Sequence, residues 1–270
     1  MRTRVPDDPA PPTSPTGTTA GRGVLYIAFA KFYFMVAGLV VVFRLPGLLN
    51  HAAWGSYSFV NSLVSPVNNV LNTGTIQTVS RFSAQEPDKA RLVQNTGLRM
   101  HLVMGLPLAV IYIAAAPVIG WIFSDASKVV PIALGGLILG GNAFYTVFVG
   151  TANGMHQFHK QAGFDITFAT LRSIGLIGMA MLGLGVVGVM GGWVVAVGLI
   201  LVISVIGVGL PGRIAKQDRL PVKPMLTFFL RIAVYLALFN MVMFVDTWIL
   251  KFHATAYYDS HAAQYAASLD

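Results

Sequence analysis

The sequence predicts an all-α polytopic membrane protein, and three observations support this fold class. Hydrophobic residues make up 55% of the 270 positions and charged residues only 10%, whereas about a quarter of the residues of a soluble domain are charged. Apolar runs of about 20 residues alternate with short polar breaks, as expected for helices that cross a bilayer. Glycine is frequent, with 28 residues, and small residues allow membrane helices to pack closely.

Charge and cysteine content exclude several other classes. The net charge is +8, which basic loops beside anionic lipid headgroups explain without a nucleic-acid partner. The chain has no cysteine, so disulfides, thiolate metal sites and cysteine nucleophiles are excluded. No paired carboxylates or nucleophile with a base are recognisable either. We therefore expect no enzyme activity, no cofactor and no metal site.

Seven candidate spans follow a polar tail. Residues 1–22 are rich in Pro, Thr, Ser and Gly and predict a disordered cytoplasmic tail. A basic cytoplasmic linker is predicted at 212–224 and an incomplete external tail at 251–270. The predicted spans are 24–43, 55–77, 100–123, 129–151, 162–184, 188–210 and 225–250.

Loop charge supports the second span, which has the lowest hydropathy. With seven spans, twelve basic residues lie on one side of the membrane and three on the other, whereas omission of the second span gives ten against five. Because basic residues collect in cytoplasmic loops, the seven-span arrangement is favoured and the N-terminus is predicted to be cytoplasmic.

A polar stripe distinguishes this second span. Its members recur at steps of four, three, four and three residues, which places them on one face of a helix. Lipid would not accommodate such a face, so the stripe is predicted to face other helices or water inside a bundle. The stripe consists of Asn61, Ser65, Asn68, Asn72 and Thr75.

Three basic residues lie within predicted spans. Lys31 and Arg231 lie roughly 10 Å from the cytoplasmic end of their helices, so each side chain either anchors the helix by reaching the interface or has a functional role. Arg172 lies roughly 15 Å deep, near the midplane. It is predicted to face an aqueous interior, or alternatively to be neutralised by Asp165 on the same helix face. A polar, net-basic cavity favours an anionic ligand, since Arg binds phosphate and carboxylate in a planar, bidentate way.

Three segments carry a resemblance to a known family. In the first, GRGVLYIAFAKFYFMVAGLVVVFRLPGLLNHAAWGSYSFVNSL, a helix leads to Arg44, an external turn at 45–53, and the aromatic-Gly-aromatic start formed by Trp54, Gly55 and Tyr57. The others are GTIQTVSRFSAQEPDKA and NGMHQFHKQAGFDITFATLRSIGLI. Together they resemble polysaccharide-type flippases of the MOP superfamily.

This resemblance implies a fold of two six-helix lobes around a central cavity, with the first lobe at 23–211 and the seventh span beginning the second. It also implies that polyprenyl-pyrophosphate-linked oligosaccharide is moved across a bacterial inner membrane for O-antigen, capsule or exopolysaccharide assembly. Polysaccharide polymerase and glycosyltransferases are the implied protein partners. The predicted substrate path consists of Arg172, Lys31, Asn61, Ser65, Asn68, Asn72, Thr75 and Arg44.

The resemblance also leaves alternatives. The chain reaches only one helix into the second lobe, so we expect a fragment, a truncated product, or a half-transporter that needs a partner. A peptidoglycan-precursor flippase and a MATE-like exporter share the implied fold, although an exporter of cations would favour acidic residues at cavity depth. A non-transporting membrane assembly subunit is a further alternative. A rhodopsin-like protein is disfavoured, because Lys251 lies beyond the predicted seventh span.

Overall fold

The computed structural model describes residues 17–212 and 214–267. These residues form α-helices joined by short turns, with no strand in the described ranges. The helices are α1 (Gly17–Leu48), α2 (His51–Gln85), α3 (Ala90–Val103), α4 (Gly105–Ile122), α5 (Val129–Gly154), α6 (Phe158–Met181), α7 (Gly185–Val208) and α8 (Val222–Ala267). The prediction of an all-α fold is confirmed.

Helix α5 forms the centre of the bundle. It packs against α2, α4 and α7, while α6 packs against α7 and α1, and α8 packs against α2. Within the apolar windows of these helices, 72% of α5 is buried but only 11% of α1. Helix α1 is therefore peripheral, and it contacts α6 far more extensively than it contacts α2.

Glycines set the closest helix contacts. On α5, a methyl group added at Gly150 would lie 3.2 Å from the Ile76 carbonyl oxygen, and one added at Gly154 would lie 2.7 Å from the Ser80 carbonyl oxygen, both on α2. Glycines four residues apart on one helix face allow two backbones to approach in this way. The high glycine content is thus used at the interfaces of the central helix.

Six helical segments among the described residues are long and apolar enough to cross a membrane. Helix α2 is not one of them, because its polar side chains lower its hydropathy. It nevertheless lies between α5 and α8 and runs for 35 residues. The predicted second span, 55–77, falls inside this helix, and its crossing of the membrane stays a prediction.

The predicted third span differs from the helices found there. A continuous helix was expected over 100–123, whereas α3 begins ten residues earlier, at Ala90, and a break at Met104 separates it from α4. Pro107 follows the break by three residues. Because proline has no backbone N–H, the Val103 carbonyl oxygen lacks its usual helical partner, which explains the interruption.

Helices also extend beyond the predicted spans. Residues 78–99, which lie between the second and third predicted spans, are largely helical, since α2 continues to Gln85 and α3 starts at Ala90. Residues 17–22 belong to α1 rather than to a disordered tail, and α8 continues through 251–267. Residues 1–16 and 268–270 lie outside the described part. Hydropathy marks only the hydrocarbon-crossing part of a helix, and the segment after 250 has no Pro or Gly to end α8.

Candidate functional site

A cavity of about 440 Å³ lies between α1, α2 and α6. This volume falls within the range of about 300–1,000 Å³ that is usual for small-molecule sites. Its lining combines apolar and aromatic side chains with hydroxyl, amide and guanidinium groups, and the described residues that line it include no Asp or Glu. The lining residues are Phe34, Ala37, Gly38, Val41, Val42, Trp54, Tyr57, Ser58, Asn61, Ser62, Ala169, Arg172 and Ser173.

Arg172 supplies the positive charge of this cavity. It lies about 4 Å from the midpoint of α6, at a rise of 1.5 Å per residue. Its guanidinium carbon lies 4.1 Å from the ring centroid of Trp193 on α7, and the group also interacts with the Tyr57 hydroxyl of α2. The buried Nε atom of Arg172 has no hydrogen-bond partner in the structure. Among the described residues, Arg172 therefore has no acidic partner and keeps one N–H donor without an acceptor.

The first residue of the polar stripe, Asn61, lines the same cavity. It accepts a hydrogen bond from the Ser65 hydroxyl at 3.0 Å, one turn further along α2. Ser58 lines the cavity one turn before Asn61, and Ser173 lines it from α6. The structure thus brings the predicted residues Arg172 and Asn61 together, with hydroxyl groups around them.

The later stripe residues face other helices instead. The side-chain amide of Asn142 on α5 donates to the side-chain oxygen Oδ1 of Asn68 at 2.8 Å, and the Thr75 hydroxyl pairs with His101 Nε2 of α3 at 2.8 Å. The buried Oδ1 atom of Asn72 has no hydrogen-bond partner in the part of the chain that the structure describes. Asn68 and Thr75 hold α2 against its neighbours, so the structure places them away from the cavity, and their role in a substrate path stays a prediction.

Lys31 pairs with Asp165 across the α1–α6 contact. Its Nζ atom lies 2.9 Å from Asp165 Oδ2, and the exposed fractions of the two side chains are 59% and 12%. Asp165 therefore pairs with Lys31 rather than with Arg172, to which the sequence alternative assigned it. Lys31 lies one helical turn before the cavity residue Phe34, so the ion pair is close to the cavity but outside its lining.

Arg44 lies elsewhere. It is exposed near the end of α1 and is not among the residues that line the cavity. Trp193, in contrast, was not predicted as a site residue, although it contacts Arg172 directly. The available signal was weak, because Trp193 is a single large aromatic side chain in the otherwise aliphatic helix α7. In the chain that the structure describes, no three His, Cys, Asp or Glu side chains are grouped so that they could hold a metal ion.

The helices and cavity define a multi-pass membrane protein with the fold of a MOP-superfamily transporter lobe. A transporter of this superfamily from Pyrococcus furiosus is similar at a TM-score of 0.63 and 19% identity, over 86% of this chain and 54% of that one. An outward-facing MATE multidrug resistance transporter is similar at a TM-score of 0.65 and 18% identity, over 86% of this chain and 54% of that one. A MATE protein with a single proline-to-alanine substitution is similar at a TM-score of 0.66 and 17% identity, over 85% of this chain and 55% of that one. The chain thus spans about half the length of the solved structures it matches.

The chain belongs to the polysaccharide biosynthesis protein family, whose sequence model matches residues 45–265. This match covers most of the chain and confirms the resemblance to a polysaccharide-type member of the MOP superfamily. No curated protein matches the chain in sequence.

Proposed function

We propose that this chain forms one lobe of a flippase that moves polyprenyl-pyrophosphate-linked oligosaccharide from the cytoplasmic to the outer leaflet of a bacterial inner membrane. Family membership supports a role in polysaccharide biosynthesis, and the fold supports membrane transport. The predicted distribution of loop charge supports a cytoplasmic N-terminus. A polymerase and glycosyltransferases would then act on the same lipid-linked substrate.

The observation that carries this proposal is the charge of the cavity. Arg172 offers a guanidinium group to the cavity, and no acidic side chain is among the described residues of the lining. Guanidinium groups bind phosphate through charge-assisted, bidentate hydrogen bonds. The hydroxyl and amide groups around Arg172 can accept and donate hydrogen bonds to sugar hydroxyls. A pyrophosphate with an attached sugar fits this chemistry better than an organic cation does.

Binding pockets within this fold differ in polarity. The Pyrococcus furiosus transporter is described as having a binding pocket of reverse polarity that suggests a different function. The cavity of the present chain carries a basic group, and its described lining residues include no acidic group. A MATE-like export of cations is therefore the weaker alternative. The cavity does not distinguish a peptidoglycan precursor from an O-antigen, capsule or exopolysaccharide intermediate, since all carry the same pyrophosphate.

Binding in nanodiscs tests the proposal. The 270-residue protein is placed in zwitterionic lipid with a long-chain polyprenyl pyrophosphate, and the bound fraction is measured by native mass spectrometry. Hydrogen bonds to charged groups contribute about 1.5–3 kcal/mol, so we expect Arg172→Ala to weaken binding by about 10- to 100-fold. Arg172→Lys should bind with intermediate affinity, because it keeps the charge but loses the planar fork.

Arg22→Ala is the matched control, because it removes the same charge from an exposed position outside both the cavity and the predicted substrate path. Its affinity should equal that of the unmodified protein. The neutral polyprenol should bind to all of these proteins with the same affinity. Equal affinity of Arg172→Ala and Arg22→Ala for the pyrophosphate would contradict the proposal, as would tighter binding of an organic cation than of the pyrophosphate.

A further inference from the structure

We propose that Trp193 is a positioning residue that holds the Arg172 guanidinium in the cavity wall without neutralising it, in the place that a counter-ion usually takes. This inference rests on the proposed function, because it concerns how the same cavity keeps an anion-binding group available inside a membrane. It assigns a role in ligand recognition to a residue of α7, a helix that contributes no side chain to the cavity lining.

The stack itself is the first observation. The guanidinium carbon of Arg172 lies 4.1 Å from the Trp193 ring centroid, well inside the 6 Å at which cation–π contacts act. Trp193 is only 1% exposed and belongs to the hydrophobic core. Its ring is therefore fixed by surrounding side chains, and tryptophan is the aromatic side chain that attracts cations most strongly.

Stacking leaves the N–H groups of Arg172 available to partners in the guanidinium plane, and the Tyr57 hydroxyl, a neutral group, is one such partner. A carboxylate partner would occupy the N–H groups of the guanidinium in its plane, whereas an indole ring contacts the face of that plane. In the structure the buried Nε atom of Arg172 has no hydrogen-bond partner. The acidic residue nearest along α6, Asp165, is instead bound to Lys31 of α1 at 2.9 Å. Arg172 is thereby stabilised by Trp193 and still able to bind an anion.

The backbone contact between α6 and α7 explains why the two side chains meet. A methyl group added at Gly175 would lie 2.4 Å from the Gly192 carbonyl oxygen, and one added at Gly192 would lie 2.3 Å from the Gly175 carbonyl oxygen. Gly175 lies three residues after Arg172, on the same side of α6, and Gly192 directly precedes Trp193. This close crossing brings the indole ring within stacking distance of the guanidinium group.

The stack also favours one class of ligand. With its face against Trp193, the guanidinium plane is fixed, and only its edge points to a ligand. An edge of parallel N–H donors matches two oxygens of one phosphate group. We therefore expect the cavity to select phosphate and pyrophosphate esters over neutral sugars of the same size.

A double-mutant cycle tests the role of Trp193. Trp193→Leu, Arg172→Ala and the double variant are compared in zwitterionic nanodiscs that contain a long-chain polyprenyl pyrophosphate. Trp193→Leu should weaken binding by about tenfold, a loss between those expected for an exposed and for a fully desolvated cation–π contact. Trp193→Phe should retain part of the affinity and serves if the Leu variant folds poorly. The double variant should bind no more weakly than Arg172→Ala alone, because Trp193 acts through Arg172.

Trp121→Leu is the matched control, since Trp121 on α4 is 81% exposed and lies outside the cavity. Its affinity should be unchanged. Unchanged affinity of Trp193→Leu would overturn the inference while leaving the proposed function intact. If Trp193→Leu lowers the affinity by the same factor in the unmodified protein and in Arg172→Ala, the inference is also overturned. Trp193 would then have only a structural role.

The thermal unfolding midpoint, measured without ligand, separates the two proposals. It is compared for the unmodified protein, the two single variants and the double variant. If the midpoint change of the double variant differs from the sum of the two single changes, the two side chains are coupled and the stack is supported. This result would stand even if the unmodified protein failed to bind the pyrophosphate, an outcome that would contradict only the proposed function. Additive midpoints would show that the two side chains are uncoupled and would overturn the positioning role.

Discussion

Neighbouring glycines on α7 provide a matched pair for testing the α6–α7 contact. A methyl group at position 192 would lie 2.3 Å from the Gly175 carbonyl oxygen, about 1.1 Å short of the 3.4 Å at which ordinary contact begins. A methyl group at position 191 would have no described atom of another helix within 4 Å. Both changes to alanine gain the same helix propensity, about 1 kcal/mol. Their difference therefore reports the helix contact alone.

Overpacking of a tight contact costs about 1–3 kcal/mol. We expect Gly192→Ala to have a lower free energy of unfolding than Gly191→Ala by about that amount, because α6 and α7 must separate to admit the methyl group. The measurement is unfolding of the purified protein in mixed micelles of mild detergent and dodecyl sulfate, followed by far-ultraviolet circular dichroism. Equal midpoints of the two variants, or a lower midpoint for Gly191→Ala, would refute the close crossing.

Two further predictions concern α2. The chain has no cysteine, so single cysteines can be placed at two exposed positions, His51 at the start of α2 and Lys89 just beyond its end. In intact cells an impermeant maleimide should label His51→Cys but not Lys89→Cys, and labelling of both from one side would contradict the membrane crossing of α2. Asn142→Leu removes the hydrogen bond to Asn68 and should lower the free energy of unfolding by about 0.6 kcal/mol and at most about 1.7 kcal/mol, as is usual between membrane helices. The control Thr73→Val removes only an exposed hydrogen bond within α2 and should leave the unfolding midpoint unchanged. If the midpoint of Asn142→Leu is no lower than that of Thr73→Val, the Asn142–Asn68 hydrogen bond does not stabilise the fold.

The sequence predicts the fold class well, because composition and apolar run length directly reflect the bilayer. Helix ends are predicted less well. The break at Met104 depends on Pro107 and on local backbone geometry, and the helical turns at 17–22 and 251–267 lie outside the apolar runs that hydropathy detects. Polar helix ends do not differ from loops in hydropathy, so the helix ends predicted from hydropathy lie inside the true ends of the helices.

The candidate site is predicted only in part, because spacing identifies a helix face but not what the face meets. The period of the stripe correctly groups Asn61, Asn68 and Thr75 on α2. It does not reveal that Asn61 faces a cavity whereas Asn68 and Thr75 bond to α5 and α3. Spacing likewise suggested that Asp165 neutralises Arg172 within one helix. The partner found for Asp165 lies on α1, 134 residues away in sequence, which no local pattern reports.

The unneutralised charge of Arg172 has an electrical consequence. Near the middle of α6, and with no acidic side chain among the described lining residues, this charge lies within the field of any transmembrane potential. Carrying one elementary charge across the whole membrane corresponds to about 2.3 kcal/mol per 100 mV. A displacement of Arg172 along the membrane normal performs a fraction of that work when the cavity is empty. A bound phosphate of opposite sign reduces it, so loaded and empty forms of such a cavity respond differently to voltage.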